Sequence, residues 1–375
     1  MKEYFISFFT ISMNRLHHLK KTLPANIKDN NEYNNLEFVI LDYNSDDGME
    51  EWVKNELGTY LDSGKVKFFR TEEPEFFNRS HSRNMAVNLC SGELICNVDA
   101  DNFTGQGFAS FLNAEFNKDS NIVVNSNFHG EYMPYKDAFG RFGAWRSDFH
   151  KVGGYDESMT SYGYEDIDLY ERLVMMGRKE VKIKNFDFLR SISHGNEDRL
   201  EQEHFNKNLD RFYVAYDIGS TKVIFLYKDG TFESGTLNEK HEFYPGLFTI
   251  EGGVWDKGRW KEESSFLMLN FSIGREEKLF TDNQGLCYLL KKPEIRLTFF
   301  KVEDSNFLEN VKSSYSIVTN ASKYQKNMNE RSLWVNTEGY GRGTVFGSQS
   351  MKVVKEPAKK DSKGKVSSEF TINQF

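Results

Sequence analysis

The chain predicts an α/β fold: a doubly wound, mostly parallel sheet, followed by a C-terminal antiparallel all-β domain. Three observations carry this. Over the first half, short apolar runs alternate with segments of helical spacing, the pattern of strand–helix–strand units with right-handed crossovers. Those apolar runs are near-continuous rather than alternating, as expected of strands covered on both faces. After residue 211, short strand-like runs recur with turn signals between them and few helices, the pattern of a sandwich or barrel. The expected divisions are 1–211, 212–350 and a mobile lysine-rich tail at 351–375.

Residues 4–11 form a first apolar run, and 16–23 have helical spacing. A second strand is expected at 36–41, a helix at 49–57 and a short strand at 66–69. Residues 79–90 read as helix, 94–98 as a buried strand, 105–116 as helix and 122–126 as strand. Polar residues cluster where these strands end: Ser12, Asn14, Asp42, Asp99 and Asp101. Open α/β sheets bind ligands outside the carboxyl ends of their strands. Five polar strand ends fit one nucleotide crevice better than five unrelated turns.

Leu94–Val98 runs into Asp99-Ala100-Asp101. Two carboxylates one residue apart repel unless a cation lies between them, and a hard divalent ion that also binds a diphosphate fills that role. Arg79 and Arg83 lie one turn apart on a helix, placed to meet phosphate oxygens at its N-terminus. Phe77, just before that helix, is a candidate to stack on a base. Glycines at 140, 143, 153 and 154 permit close backbone approach to a ligand, and Trp145 and Tyr155 are candidates to face a sugar ring. A second acidic cluster, Glu165, Asp166 and Asp168, opens a helix. One acidic pair can hold an ion and a leaving group while the other activates a nucleophile. His194 follows a strand-like segment, where a histidine can join an aspartate as a metal ligand. Residues 197–210 are strongly polar and read as a surface helix.

Beyond 211, strands are expected at 212–218, 222–228, 243–250, 265–273, 286–290 and 295–302. Turn signals stand at Asp229-Gly230, Gly252-Gly253, Lys257-Gly258 and Asn283-Gln284-Gly285. This part shows neither a nucleophile–base arrangement nor a metal-ligand spacing.

Composition narrows the function class. The 375 residues are 38% hydrophobic and 28% charged, ordinary for a globular protein. Aromatics reach 15%, which suits strands and ring platforms. A formal charge of −8 argues against a nucleic-acid partner. No apolar run approaches the roughly 18 residues of a membrane span. Cys90, Cys96 and Cys287 lack metal or disulfide spacing and read as reduced core residues. The expectation is a cytoplasmic protein, with the lysine-rich tail able to touch the inner face of the cell membrane. Nothing in the sequence sets an oligomeric state.

The order and spacing of these motifs over 4–210 resemble a nucleotide-sugar glycosyltransferase of the GT-A type. They are similar to the bacterial family-2 group, and closer still to its members with a galactosyltransferase-like C-terminal half. Asn14-Arg15, with His18-Leu19 beyond, resembles the opening nucleotide loop of β-1,4-galactosyltransferases. Phe77-Asn78-Arg79 resembles their uridine and phosphate segment, and Asp99-Ala100-Asp101 their Asp-x-Asp motif. Phe142-Gly143, 153–156 and 163–168 match the donor-sugar and acceptor region. The resemblance implies transfer of galactose or N-acetylgalactosamine from a UDP-sugar to a hydroxyl of a glycan or glycolipid acceptor in bacterial surface polysaccharide synthesis. It implies that Asp42 binds uracil or ribose, and that Ser12, Asn14, Arg15, Phe77, Arg79, Arg83, Asp99, Phe142, Gly143 and Trp145 belong to the donor site. Asp101 and His194, with Asp99 as a further candidate, would ligate Mn²⁺ or Mg²⁺. Asp166 would be the general base, and Glu165, Tyr162 and Asp168 would meet the acceptor. Tyr162 and Tyr164 stand where the animal enzymes carry Trp and Gly, and their methionine metal ligand is replaced near Ser191. Inversion is the expected outcome. A retaining relative and a non-catalytic carbohydrate-binding protein are the alternatives.

Overall fold

The computed structural model describes residues 1–126, 138–217, 220–238, 249–250, 255–281, 287–292, 295–347, 352–355, 359–360 and 366–367. The expected turn signals at 252–253 and 283–285, most of the strand expected at 243–250, and most of the tail lie outside those residues. The chain divides into two units: Met1–Thr160, Tyr164–His194 and Lys326–Phe375 form one, Ser161–Gly163 and Gly195–Gln325 the other. This differs from the division expected at 211 and 350, because the chain returns to the first unit after its second.

The first unit alternates as expected: β1 (Ile6–Ser12), α1 (Leu16–Asp29), β2 (Leu36–Tyr43), α2 (Met49–Glu56), α3 (Gly58–Asp62), β3 (Val66–Thr71), α4 (Arg79–Leu89), β4 (Leu94–Asn97) and α5 (Phe108–Lys118). It continues with β5 (Ile122–Asn125), β6 (Phe142–Trp145), α6 (Arg146–Lys151), α7 (Glu165–Met175) and β7 (Lys179–Lys182). Strands β3, β2, β1 and β4 are parallel neighbours in that order. Strand β6 is antiparallel between β4 and β5, and β7 pairs parallel with β5. The sheet is therefore mixed and mostly parallel. Successive residues of β1 serve opposite faces: Phe8 packs with α1, α2 and α5, Phe9 with α4, α6 and α7. All seven residues of β1 and all eight of β2 are buried, which is why both read as mostly apolar runs without alternation.

The second unit opens with two short helical turns, α8 (Asn196–Leu200) and α9 (His204–Asn208), where a single surface helix was expected. Strands β8 (Leu209–Asp217), β9 (Ser220–Tyr227), β10 (Thr231–Asn238), β11 (Thr249–Ile250), β12 (Asp256–Glu263), β13 (Phe266–Phe271), β14 (Glu276–Thr281), β15 (Cys287–Lys292) and β16 (Ile295–Lys301) follow. Every pairing among them is antiparallel, and the pairing of β9 with β10 closes the ring β8-β9-β10-β12-β13-β14-β15-β16. Of the sandwich and the barrel that the sequence allowed, the barrel is the one that forms. Tyr213, Ile224, Leu226, Phe232, Leu267, Leu269, Leu279 and Phe299 share one buried cluster. Side chains of this size fill the interior of an eight-stranded barrel. The alternate residues Phe212, Val214, Val223 and Phe225 pack with Val311, Tyr315 and Val318 of α10 (Ser305–Asn329).

After α10 the chain returns to the first sheet. Strand β17 (Gly343–Gly347) pairs antiparallel with the edge strand β3, and β18 (Lys352–Lys355) pairs with β17. The three cysteines are buried and form no disulfide.

Leu269, fully buried in the barrel, should tolerate truncation poorly. Leu269→Ala is expected to lower unfolding stability by about 2–5 kcal/mol, read from denaturant unfolding followed by tryptophan fluorescence. A loss below roughly 1 kcal/mol would mean the barrel interior is not close-packed.

Candidate active site

Strand β4 delivers the first acidic motif. Its last residue, Asn97, is buried and donates from Nδ2 to Asp99 Oδ1 (3.0 Å) and to the Gly140 carbonyl (3.1 Å). The Asn102 amide turns back to the Asp99 carbonyl at 2.9 Å. Residues 190–192 then run antiparallel to this turn: the Phe103 amide donates to the Arg190 carbonyl and the Ile192 amide to the Asp101 carbonyl, both at 2.8 Å. That pairing brings His194 to Asp101, with Nε2 and Oδ2 2.5 Å apart. The other Asp101 oxygen accepts from Asn102 Nδ2 at 2.8 Å. Behind the turn, Arg141 is buried and donates to the Phe103 carbonyl (2.9 Å) and Asn102 Oδ1 (3.0 Å). The His18 ring stacks on His194 with centroids 5.4 Å apart, and burial, with His17 beside it, pushes its pKa down to about 4.

Asp101 and His194 bring one carboxylate oxygen and one imidazole nitrogen into direct contact, a mixed donor pair of the kind that suits Mn²⁺. Among the described residues no group of three or more His, Cys, Asp and Glu forms a metal site. An ion held here would complete its sphere with water or with oxygens of a bound ligand.

The second acidic motif meets the first through one cation. Arg83, on α4, donates to Asp99 (3.3 Å), Glu165 (3.2 Å) and Asp166 (2.9 Å). Burial opposes its charge, but the three carboxylates outweigh that and hold its pKa well above the ordinary value. Asp166 has the opposite problem. Desolvation is the largest effect on it, and Glu165 and Asp99 add repulsion that Arg83 only partly offsets, so its pKa rises to about 7. Gly140 presses against this carboxylate: a Cβ there would lie 2.7 Å from Asp166 Oδ2. Beside Arg83, Asn84 donates to the Tyr155 carbonyl (2.9 Å) and accepts from its amide (2.8 Å), fixing the 153–155 turn.

Not every expected residue joins this centre. Asp168 is fully buried; Arg172 holds one of its oxygens (2.7 Å) and Asn327 the other (2.9 Å). It braces α7 from the buried side of the helix. Glu165 keeps one oxygen, Oε2, buried without a hydrogen-bond partner. Tyr164 caps α7 at φ 68°, the left-handed backbone region that glycine adopts without strain. Tyr162 belongs to the second unit; there Arg199 lies 5.8 Å from its ring, and Asn320 donates to the Ser161 and Gly163 carbonyls.

On the nucleotide side, Ser12 ends β1 opposite Asp42 of β2. Asp42 is fully enclosed, accepting from the Ser45 amide (2.8 Å) and Arg70 (2.5 Å), with its pKa raised by burial. It anchors the turn after β2. Asn14 and Arg15 lead into α1, and Asn14 Oδ1 accepts from the Asp46 amide at 2.8 Å. Asn78 caps α4, accepting from the His81 amide at 3.0 Å, and the Arg79 guanidinium sits over Phe77 at 5.2 Å. Phe142 packs on Phe9 and Tyr155, and a Cβ on Gly143 would meet Leu112, so both face the core. Trp145 is not at the site. It opposes Leu94 at the start of β4, the end remote from Asp99, packs on Tyr4 and Phe116, and donates to the Ser120 carbonyl at 2.7 Å.

Comparison with known proteins comes to this. A sequence-family model described as the N-terminal domain of galactosyltransferase matches residues 121–196, the stretch holding Gly140, the second acidic motif and His194. No curated protein sequence matches the chain. Among solved structures the chain is similar to a mannosyltransferase from Pyrobaculum calidifontis in complex with GDP-Man and Mn²⁺, at 18% identity over 55% of this chain and 64% of that one, with a TM-score of 0.44. A Drosophila β-1,4-galactosyltransferase 7 mutant in complex with manganese, UDP-Gal and xylobiose matches at 14% identity over 52% and 72%, TM-score 0.35. GalNAc-T7 with UDP, GalNAc and Mn²⁺ matches at 14% identity over 81% and 80%, TM-score 0.41. The chain thus spans less than two thirds of that mannosyltransferase, 64%.

The raised Asp166 pKa has a stability consequence. Between about pH 4, where an unfolded aspartate titrates, and about pH 7, the folded state holds a proton that the unfolded state releases. Stability from this group is therefore present at low pH and lost as pH rises through 7. Asp166→Asn should raise Tm over wild type more at pH 8 than at pH 5. An equal difference at the two pH values in differential scanning fluorimetry would show that Asp166 titrates normally.

Proposed function

We propose that the first unit is a metal-dependent glycosyltransferase that moves galactose or N-acetylgalactosamine from a UDP-sugar to a hydroxyl of a glycan acceptor, with inversion. The observation that carries this reading is the Arg83 cluster. It joins an Asp-x-Asp turn at the end of a central strand to a carboxylate whose pKa of about 7 suits a general base near neutral pH. The likeness of residues 121–196 to a galactosyltransferase domain supports the choice of sugar class.

In this reading Asp166 takes the proton of the acceptor hydroxyl as its oxygen bonds to the anomeric carbon. The bond from that carbon to the donor diphosphate breaks, and the electron pair leaves with UDP. Arg83 and Gly140 fix the direction of the base, and Glu165, with its unpartnered oxygen, accepts from an acceptor hydroxyl. Asp101 and His194, with Asp99 as a further candidate, would hold a divalent ion, Mn²⁺ or Mg²⁺, which when bound offsets charge growing on the diphosphate. Ser12, Asn14, Arg15, Phe77 and Arg79 line the nucleotide end. Asp42 acts there through the turn it anchors.

The test is release of nucleoside diphosphate from UDP-galactose, UDP-N-acetylgalactosamine, UDP-N-acetylglucosamine and GDP-mannose, with Mn²⁺ and with chelator. Release from a UDP-hexose that needs the ion is expected, with kcat/KM rising about tenfold per pH unit up to about 7 and then level. Asp166→Asn should lose transfer by roughly 10²-fold or more while still binding UDP. Asp101→Ala should lose Mn²⁺-dependent UDP binding in thermal shift. An active Asp166→Asn enzyme would remove Asp166 as the base, and no turnover of any donor would sink the transferase reading.

A further inference from the structure

Helix α1 and its C-terminal cap carry four buried polar side chains one turn apart: His18, Thr22, Asn26 and the cap residue Asn30. A spacing of four places them along one face. The apolar residues Leu16, Leu19, Leu23 and Ile27 already dock the helix on the sheet. A second, polar line is therefore not needed for burial, and buried polar groups are costly unless each is hydrogen-bonded.

All four point to one place. Thr22 Oγ1 donates to the Ala100 carbonyl at 2.6 Å. Asn26 Nδ2 donates to the Asn102 carbonyl at 2.9 Å, while its Oδ1 accepts from the Thr104 amide at 2.8 Å. Asn30 donates to Thr104 Oγ1 and accepts from the Ala109 amide, both at 2.8 Å. The carbonyls on both sides of Asp101 are thus held by α1. At the head of the line, His18 stacks on His194. One helix face grips both side chains assigned to the ion: Asp101 through its flanking carbonyls, His194 through its ring.

We propose that Thr22, seconded by Asn26, is a positioning residue for the ion site, setting the direction of the Asp101 carboxylate through the Ala100 and Asn102 carbonyls. This rests on the reading of Asp101 and His194 as the ion's protein ligands. With only two such ligands, affinity depends heavily on how well they are aimed, because groups outside the coordination sphere tune it by roughly 10–100-fold. Loss of the Thr22 hydroxyl leaves both ligands in place and misdirects one.

The experiment measures Mn²⁺ binding to the full chain by electron paramagnetic resonance of the free ion, with UDP present and without it. It compares wild type with Thr22→Val, Thr22→Ser and Lys20→Ala, the last on the exposed side of α1. Thr22→Val should bind Mn²⁺ about tenfold more weakly with unchanged circular dichroism; Thr22→Ser and Lys20→Ala should match wild type. Thr22→Ala removes the same donor with less bulk and gives the answer if Thr22→Val fails to fold. Wild-type affinity in the folded valine or alanine variant, or a serine variant as weak as valine, overturns the proposal while leaving the ion site standing. A wild-type chain that takes up no Mn²⁺ removes the ion site itself, and this inference with it.

Discussion

Three carboxylates from two distant stretches of sequence share one guanidinium, and the first unit is arranged around that sharing. Asp99 closes a central strand, while Glu165 and Asp166 open α7; without a cation between them the two motifs would repel across a water-poor gap. Arg83 supplies it from α4, whose start is fixed by the Asn78 cap. Taking away one partner of such a buried set leaves charge uncompensated, which costs far more than the pair contributes. The next residue, Asn84, clamps the 155 peptide on both sides. Two consecutive side chains of one helix therefore register the acidic centre and the glycine turn that shapes it. One positive charge against three negative ones is also an unbalanced arrangement. The imbalance is stored on Asp166, where it raises proton affinity instead of unfolding the site.

The strands of the first unit were legible because burial on both faces leaves a near-continuous apolar run, as in β1 and β2. Strand β6 was not, because a four-residue strand with a central glycine has too little pattern to separate from a loop. In the second unit, β12 reads Asp-Lys-Gly-Arg-Trp-Lys-Glu-Glu, with most of its residues exposed. Barrel closure places it there through backbone pairing, which sequence alternation does not encode. Helix α10 escaped because its packed face, with Val311, Tyr315 and Val318 among its described residues, lies within a largely polar stretch.

The candidate site was legible at its acidic residues and less so at its supports. Asp99, Asp101, Glu165, Asp166 and His194 come together, and Arg83 lies among them, paired with three of the carboxylates. Asp168 looked like the third member of an acidic cluster, yet its position three residues into α7 turns it inward onto Arg172. Trp145 looked like a sugar platform, yet an antiparallel β6 carries it to the opposite end of the sheet. Arg141 and the polar face of α1 carry no signal in sequence, since a buried arginine or asparagine reads like a solvated one until its partners are known.

The return of the chain after α10 affects the order in which the protein can be made. Asn327 bonds Asp156 and Asp168, Asn336 bonds the Gly153 and Tyr155 carbonyls, and the Gly341 amide bonds Glu157. These residues lie more than a hundred positions beyond the segments they brace, with the entire barrel synthesised in between. On the ribosome, the barrel's strands are complete while the acidic centre still lacks its last supports. Assembly of the two acidic motifs into their final geometry thus waits until residues 327–341 have been made. A chain cut before residue 327 carries every acidic residue of the site but not the side chains that brace the 153–157 turn and Asp168.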